Sequence, residues 1–238
     1  MKKKKKVLRT VFSIIAALAA LCIAVVGYFA IKGAVMWSDA KAEKPLDALL
    51  SELRSADGFV TIDELPEFYI NAVISVEDRK FKTHSGINLK SIARALLYDI
   101  KTLSFEQGGS TITQQLAKNL WFTQEKRIER KFAEVYAAFE LEAALTKDEI
   151  LELYVNTIYF GSDYYGVSDA AEGYFGKTTT ELSDYECAML AGLPNAPSAY
   201  SPDASPELAR QRLELVLDSM ERSGAITPEH VQEIIATA

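Results

Sequence analysis

The chain has 238 residues, 49% of them hydrophobic, with 26 basic and 33 acidic residues and a formal net charge of −7, enough for one domain or two small ones with a real core. Residues 1–35 hold seven of the basic residues and no acidic one, which leaves 19 basic against 33 acidic residues, a net charge of −14, for the remainder. So acidic a remainder is a poor general ligand for nucleic acid or anionic lipid, and two cysteines in apolar runs, Cys22 and Cys187, exclude a disulfide framework and make Cys187 a buried free thiol.

Lys2 to Lys6 and Arg9 precede Val11 to Ile31, twenty-one residues without a charge, long enough to cross a bilayer as a helix. Positive charge on the N-terminal side predicts residues 1–10 in the cytoplasm and everything after Lys32 outside. A signal peptide has a shorter apolar region and a small-x-small cleavage site; Ala17 to Ala20 keep cleavage open, and a retained anchor is the reading adopted. Residues 32–60 are uneven in pattern and read as a stalk, and the outer domain is placed at 61–238.

Within that domain nearly every segment has helical period. Leu65, Phe68, Ala72, Val73 and Val76 form one face of a helix. Asn88 starts another, with Leu89, Ile92, Ala93, Leu96 and Ile100 on its face. Thr111 with Gln114, Thr146 with Glu149, and Ser183 with Glu186 are capping-box starts. Ser205-Pro206 and Thr227-Pro228 open the last two helices, the first of them ending at Gly224. Alternating strand patterns are scarce, Thr157 to Phe160 being the best candidate. The expectation is a mostly α domain of about eight or more helices. Ser104 to Ser110, Tyr159 to Gly166 and Pro194 to Pro202 interrupt it as loops.

Chemistry concentrates in two places. Glu77 and Asp78 stand at the C-terminal end of their helix, where the dipole disfavours a carboxylate and raises its proton affinity, as suits a general base. The alternative is a pair of acids in a solvated turn beside Arg79 and Lys80. The second place is Lys118 to Glu134, where Lys118, Lys126, Arg127, Arg130 and Lys131 crowd into an otherwise acidic domain and suggest an anion site. On a helix beginning near Thr123, Ile128, Phe132, Val135 and Phe139 form the expected buried stripe, with Arg127, Lys131 and Glu134 on a neighbouring face. An exposed Arg130–Glu134 pair is the plainer alternative. Between these places, backbone N–H groups after the Gly108-Gly109 pair, with Ser110 and Thr111, can bind phosphate or sugar oxygens, and Gln114, Gln115 and Lys118 add polar contacts. Leu120-Trp121-Phe122 is open to either the bilayer or the core. His84 and His230 have no zinc spacing, and His84 reads as a scaffold for the Glu77 loop.

In order and spacing, EDRKFKTHSG, QGGSTITQQLAKN, RKFAE, KDEILELYVNTIYFG and AMLAGLPNAPSAYSP resemble the five motifs of the peptidoglycan glycosyltransferase family, found in class A penicillin-binding proteins and monofunctional transglycosylases. The resemblance covers roughly Pro66 to Met220. It implies a mainly α, lysozyme-like, two-lobed domain behind a single N-terminal transmembrane helix, on the outer face of the bacterial inner membrane. The implied reaction polymerises lipid II into β-1,4 glycan strands, with inversion at MurNAc C1 and release of undecaprenyl pyrophosphate. By match, Glu77 is the base and Glu134 the second carboxylate. Lys118, Arg130 and Lys131 hold pyrophosphate, and Gln107, Ser110, Thr111, Gln115 and Asn119 are the polar cleft set. Asp78, Phe81 and His84, in the first motif, complete the substrate-binding group. No metal ligands are assigned, a divalent cation (Mg2+ or Mn2+) being the one cofactor left open. Implied partners are lipid II, the growing strand, the bilayer and other cell-wall synthesis proteins, not nucleic acid. No transpeptidase segment follows Ala238, and Lys177-Thr-Thr lacks the glycine of a KTG box, so the likeness is to a monofunctional enzyme or one part of a bifunctional one. A lytic enzyme and a non-enzymatic tethered scaffold are the rival readings.

Overall fold

The computed structural model describes residues 2–94, 109–123 and 127–237. It is mainly helical. Helix α1 (Lys2–Glu43) runs unbroken through the apolar stretch and is the one helix among the described residues long and apolar enough to cross a membrane. Helices α2 (Leu46–Arg54) and α3 (Glu67–Glu77) follow. Residues 89–94 are helical, as the Asn88 cap predicts, and its side chain accepts from Ser91 N–H at 3.1 Å; Leu96 and Ile100 lie outside the described residues. Then come α4 (Ile112–Trp121), α5 (Ile128–Ala144) and α6 (Lys147–Thr157).

The predicted strand is real but short. Strand β1 (Tyr159–Gly161) pairs antiparallel with β2 (Tyr164–Tyr165), Tyr159 opposite Tyr165. Helices α7 (Val167–Phe175), α8 (Asp184–Gly192), α9 (Pro197–Tyr200), α10 (Pro206–Ser223) and α11 (Pro228–Ala236) complete the chain. The caps predicted at Thr111, Thr146, Ser183, Ser205 and Thr227 all accept a backbone N–H, and Gly224 ends α10 in the left-handed conformation.

Two helical groups share one core. In the first, α8 is buried along Cys187–Gly192 and packs against α3 and α10; burial there pushes the Cys187 thiol up to about 12. In the second, α4 packs on α5 and α6, and α1 lies along α5. Residues 32–60 are tied to this group rather than set apart from it. Gly33 sits so close to α5 that an added Cβ would lie 2.4 Å from Phe132 Cβ. Trp37 meets Trp121 edge-on at 4.8 Å, and Trp121 Nε1 donates to the Lys44 carbonyl at 2.8 Å. The Asn156 side chain bonds both backbone groups of Val60, at 2.9 and 2.8 Å. Leu120 and Trp121 are therefore core residues.

The buried stripe expected on α5 is corrected. Ala133, Ala137, Ala138 and Leu141 face the core, while Ile128 and Phe139 are 56% and 44% exposed. Small residues let α5 lie close to α4 and α1 at once, and the bulky Ile128 and Phe139 are left at the surface.

Candidate active site

Glu77 is the last residue of α3 and Asp78 its C-cap, and the two adjacent carboxylates diverge. Asp78 is buried; its Oδ2 accepts from His84 Nε2 at 2.7 Å and from the Ile112 N–H at 3.2 Å. Because His84 Nδ1 accepts from the Gly86 N–H at 3.1 Å, the ring carries its proton on Nε2. Gly86 adopts φ +91°, and its carbonyl accepts from Thr111 Oγ1 at 2.6 Å. A β-carbon would be strained in that conformation. Asp78, His84 and Gly86 thereby fix the first motif to the start of α4.

This changes the expected anion site. The dipole at the start of α4 already faces a carboxylate, that of Asp78, and the Thr111 hydroxyl is taken up by the Gln114 N–H and the Gly86 carbonyl. Phe81 has no exposed surface and so cannot touch a substrate; it packs edge-on to His84 at 6.2 Å, with the Lys147 ammonium 4.6 Å over its ring.

Glu77 faces a cleft of about 730 Å³ with its side chain 10% exposed. Its Oε2 accepts from Gln115 Nε2 at 2.7 Å, and its Oε1 lies 4.0 Å from an Arg212 Nη. Burial raises its carboxyl above the ordinary range; the Gln115 hydrogen bond, Arg212 and Lys118 oppose that rise, and Asp78 adds to it. The direction is the one expected from the helix end, but burial is the leading cause.

Ser110, Gln115, Lys118, Lys131 and Glu134 line the same cleft. Glu134 is fully buried, paired through Oε2 with Lys131 and through Oε1 with Arg130 Nε at 3.2 Å, the latter without hydrogen-bond alignment. Lys131 also donates to Ser110 Oγ at 2.9 Å. The Arg130–Glu134 pair is therefore not the exposed surface pair of the plainer reading. Burial lowers the proton affinity of Lys118, partly offset by Glu134.

Two expected members lie elsewhere. Arg130 donates to the Thr123 carbonyl at 2.6 Å and lines a crevice against α1 with Lys32 and Asp39. Asn119 donates to the Thr157 carbonyl at 3.4 Å and borders a separate pocket beside α2. Both positions follow from helical rotation, which takes successive residues to different faces. Gln107 lies outside the described residues. Arg79, Arg94, Arg212 and Arg222 also line the cleft, and Arg79, Lys80, Lys90 and Arg94 border an adjoining hollow of about 340 Å³ that Glu77 shares. Arg79 and Lys80 stood in the first motif as a visible signal; Arg212 had none. Among the described residues no three Asp, Glu, His or Cys groups gather for a metal ion, and Asp78 and Glu134 are already partnered. Among the described residues, then, no donor set fits a resident divalent cation.

The family model described as Transglycosylase matches residues 44–221. The chain is 49% identical over 177 residues to penicillin-binding protein 1A of Aquifex aeolicus, covering 74% of this chain and 24% of that protein. It is 42% identical over 207 residues to a protein of Cupriavidus necator named as a transglycosylase, covering 87% of this chain and 89% of that protein. It thus spans about a quarter of the length of the penicillin-binding relative. A 2.6 Å crystal structure of penicillin-binding protein 1A from Haemophilus influenzae aligns at a TM-score of 0.44 and 25% identity, covering 74% of this chain and 17% of that one.

Proposed function

The chain belongs to the transglycosylase family, and from that premise we propose that it is a membrane-anchored peptidoglycan glycosyltransferase that polymerises lipid II into β-1,4 glycan strands. The observation that carries the proposal is a base and its counter-charges in one cleft. Glu77 has a raised proton affinity and an Oε1 with no hydrogen bond among the described residues, and it shares the space with Lys118 and Lys131.

Displacing a diphosphate from a sugar needs both components. Glu77 takes the proton of the GlcNAc 4-hydroxyl of lipid II as that oxygen bonds to C1 of the MurNAc at the reducing end of the growing strand. The C1–O bond to undecaprenyl diphosphate breaks with its electron pair on the diphosphate, and attack from the opposite side inverts α to β. Lys118 and Lys131 meet the departing charge. Glu134 orients Lys131, and Arg130 holds Glu134 from behind rather than touching the diphosphate. The second cationic hollow, with Arg79, Lys80, Lys90 and Arg94, suits a reaction whose two substrates both carry phosphate. No step is routed through a metal.

The exposed apolar residues of α1, together with Leu89, Ile128 and Phe139, suit a domain seated against a bilayer, with Lys2 to Lys6 on the cytoplasmic side and the cleft on the outer face. The test is incubation of the full chain in detergent with purified lipid II, with and without chelator, beside finished cell wall. Long glycan strands from lipid II, formed equally with chelator present, are the expected result. Digestion of finished wall without polymerisation would replace the proposal with a lytic enzyme, and lipid II binding without turnover with a scaffold.

A further inference from the structure

We infer that the two oxygens of Glu77 have separate tasks: Oε2 is held by a Tyr154–Gln115 pair, and Oε1 is left to take the proton beside Arg212, which makes Tyr154 and Arg212 positioning residues. The inference rests on the reading of Glu77 as base.

Consider Oε2 first. Gln115 Nε2 donates to it at 2.7 Å, while Gln115 Oε1 accepts from the Tyr154 hydroxyl at 3.3 Å. A glutamine amide can face either way, and turned over it would aim its oxygen at a carboxylate. Tyr154 decides the matter. Its side chain is fully buried in α6, its hydroxyl proton needs an acceptor, and the Gln115 oxygen supplies one. The amide nitrogen is then committed to Glu77. Tyr154 has no surface in the cleft, so its influence on the reaction passes through Gln115.

Oε1 is treated differently. The Arg212 Nη at 4.0 Å is too far for a hydrogen bond but close enough for its charge to favour the ionised carboxylate. The arginine is held at that distance. Its Nε donates to the Gly192 carbonyl at 3.0 Å, and its guanidinium lies 5.6 Å over the Tyr200 ring. Its stem passes so near Gly192 that an added Cβ there would stand 3.0 Å from Arg212 Cγ. These contacts hold the guanidinium to the Gly192 and Tyr200 side of the cleft. Glu77 therefore keeps a free acceptor while the rise in proton affinity that burial causes is opposed. The other charged groups around it are Asp78 beside it, Lys118, Lys131, Glu134, Arg79, Arg94 and Arg222 in the same cleft, and Lys80 and Lys90 in the adjoining hollow.

The test is the pH dependence of lipid II polymerisation by the full chain between about pH 5 and 9, comparing wild type with Arg212→Gln, Arg212→Lys, Tyr154→Phe and Glu77→Gln. Arg212→Gln is expected to move the acidic limb to higher pH, with a rate loss on the order of ten-fold at pH 6 that shrinks by pH 8.5; Arg212→Lys restores most of the limb. Tyr154→Phe lowers kcat several-fold with KM unchanged and moves the limb the same way. An Arg212→Gln enzyme with a raised KM and an unmoved limb would make the arginine a substrate ligand and overturn the inference. So would wild-type kinetics in Tyr154→Phe. A Glu77→Gln enzyme at full rate instead removes the base itself, a failure of the underlying reading that the Arg212 and Tyr154 results cannot produce. Circular dichroism on each variant separates kinetic loss from misfolding, and if Arg212→Gln does not fold, the Lys variant decides the outcome by its limb.

Discussion

Glu77 and Glu134 are the same residue type, each at least nine-tenths buried and lining one cleft, yet their surroundings are opposite. Glu134 touches two cations, Lys131 and Arg130, which spend its charge on holding α5 side chains in place. Glu77 has one neutral amide in contact and its nearest arginine 4.0 Å away. The contrast teaches that partners, not depth, divide a proton acceptor from a counter-ion. Glu77→Gln is the sharpest way to break it: polymerisation of lipid II should fall by about 10²–10⁴-fold, the usual contribution of a positioned base, in a protein that still folds. Glu134→Gln should behave otherwise, since it leaves two cations facing a buried site without their anion. We expect a loss of about 3 kcal/mol in urea unfolding, with activity lost alongside. Equal unfolding midpoints for the two variants would erase the distinction.

A smaller perturbation approaches the Glu134 side from behind. Gly33 packs against α5, and an added Cβ would also lie 2.9 Å from the Ala133 nitrogen and the Glu129 carbonyl, backbone atoms that cannot rotate away. Gly33→Leu should cost about 2 kcal/mol and push α5 out of register with α4. Because α5 carries Lys131 and Glu134 while Glu77 belongs to α3, the expected kinetic signature is a raised KM for lipid II with the acidic limb unmoved. A limb that moves with Gly33→Leu would show that the two sides are not independent.

How much of this could be read from the residues depends on range. Local signals were legible: capping side chains satisfy N–H groups three positions on, so Thr111, Thr146, Ser183, Ser205 and Thr227 announced their helices. Glu77 could be placed at a helix end because the apolar face of α3 runs out just before it. Contacts between distant segments were not. The cap that Asp78 supplies to α4, the approach of Arg212, and the departure of Asn119 and Arg130 from the cleft each depend on how helices cross. The α5 stripe misled because the core side of this helix is made of small residues, Ala133, Ala137 and Ala138, which carry little periodic signal, while the bulky Ile128 and Phe139 stay exposed. Residues 32–60 read as uneven because they contain the end of α1, the short α2 and a loop, each giving only a few residues, such as Trp37, Leu49 and Leu53, to the core.

The mildest test concerns stability alone and follows from the sign of the Glu77 shift. Burial raises its folded-state carboxyl above the unfolded value, so folding favours the protonated form. That contribution is fully present below the unfolded value and is lost as pH rises through the folded one. Glu77→Gln resembles the protonated side chain and can still meet Gln115 with its own carbonyl. At pH 4 the variant and wild type should melt together; by pH 8 the variant should be the more stable, by about 1 kcal/mol, the usual gain when an active-site compromise is relieved. For a domain of this size that is roughly 2–4 °C in Tm. Paired melts in detergent across this range decide it. A variant less stable than wild type at pH 8 would mean that the Gln115 and Arg212 contacts outweigh burial, and that Glu77 is held as an ion no less firmly than Glu134.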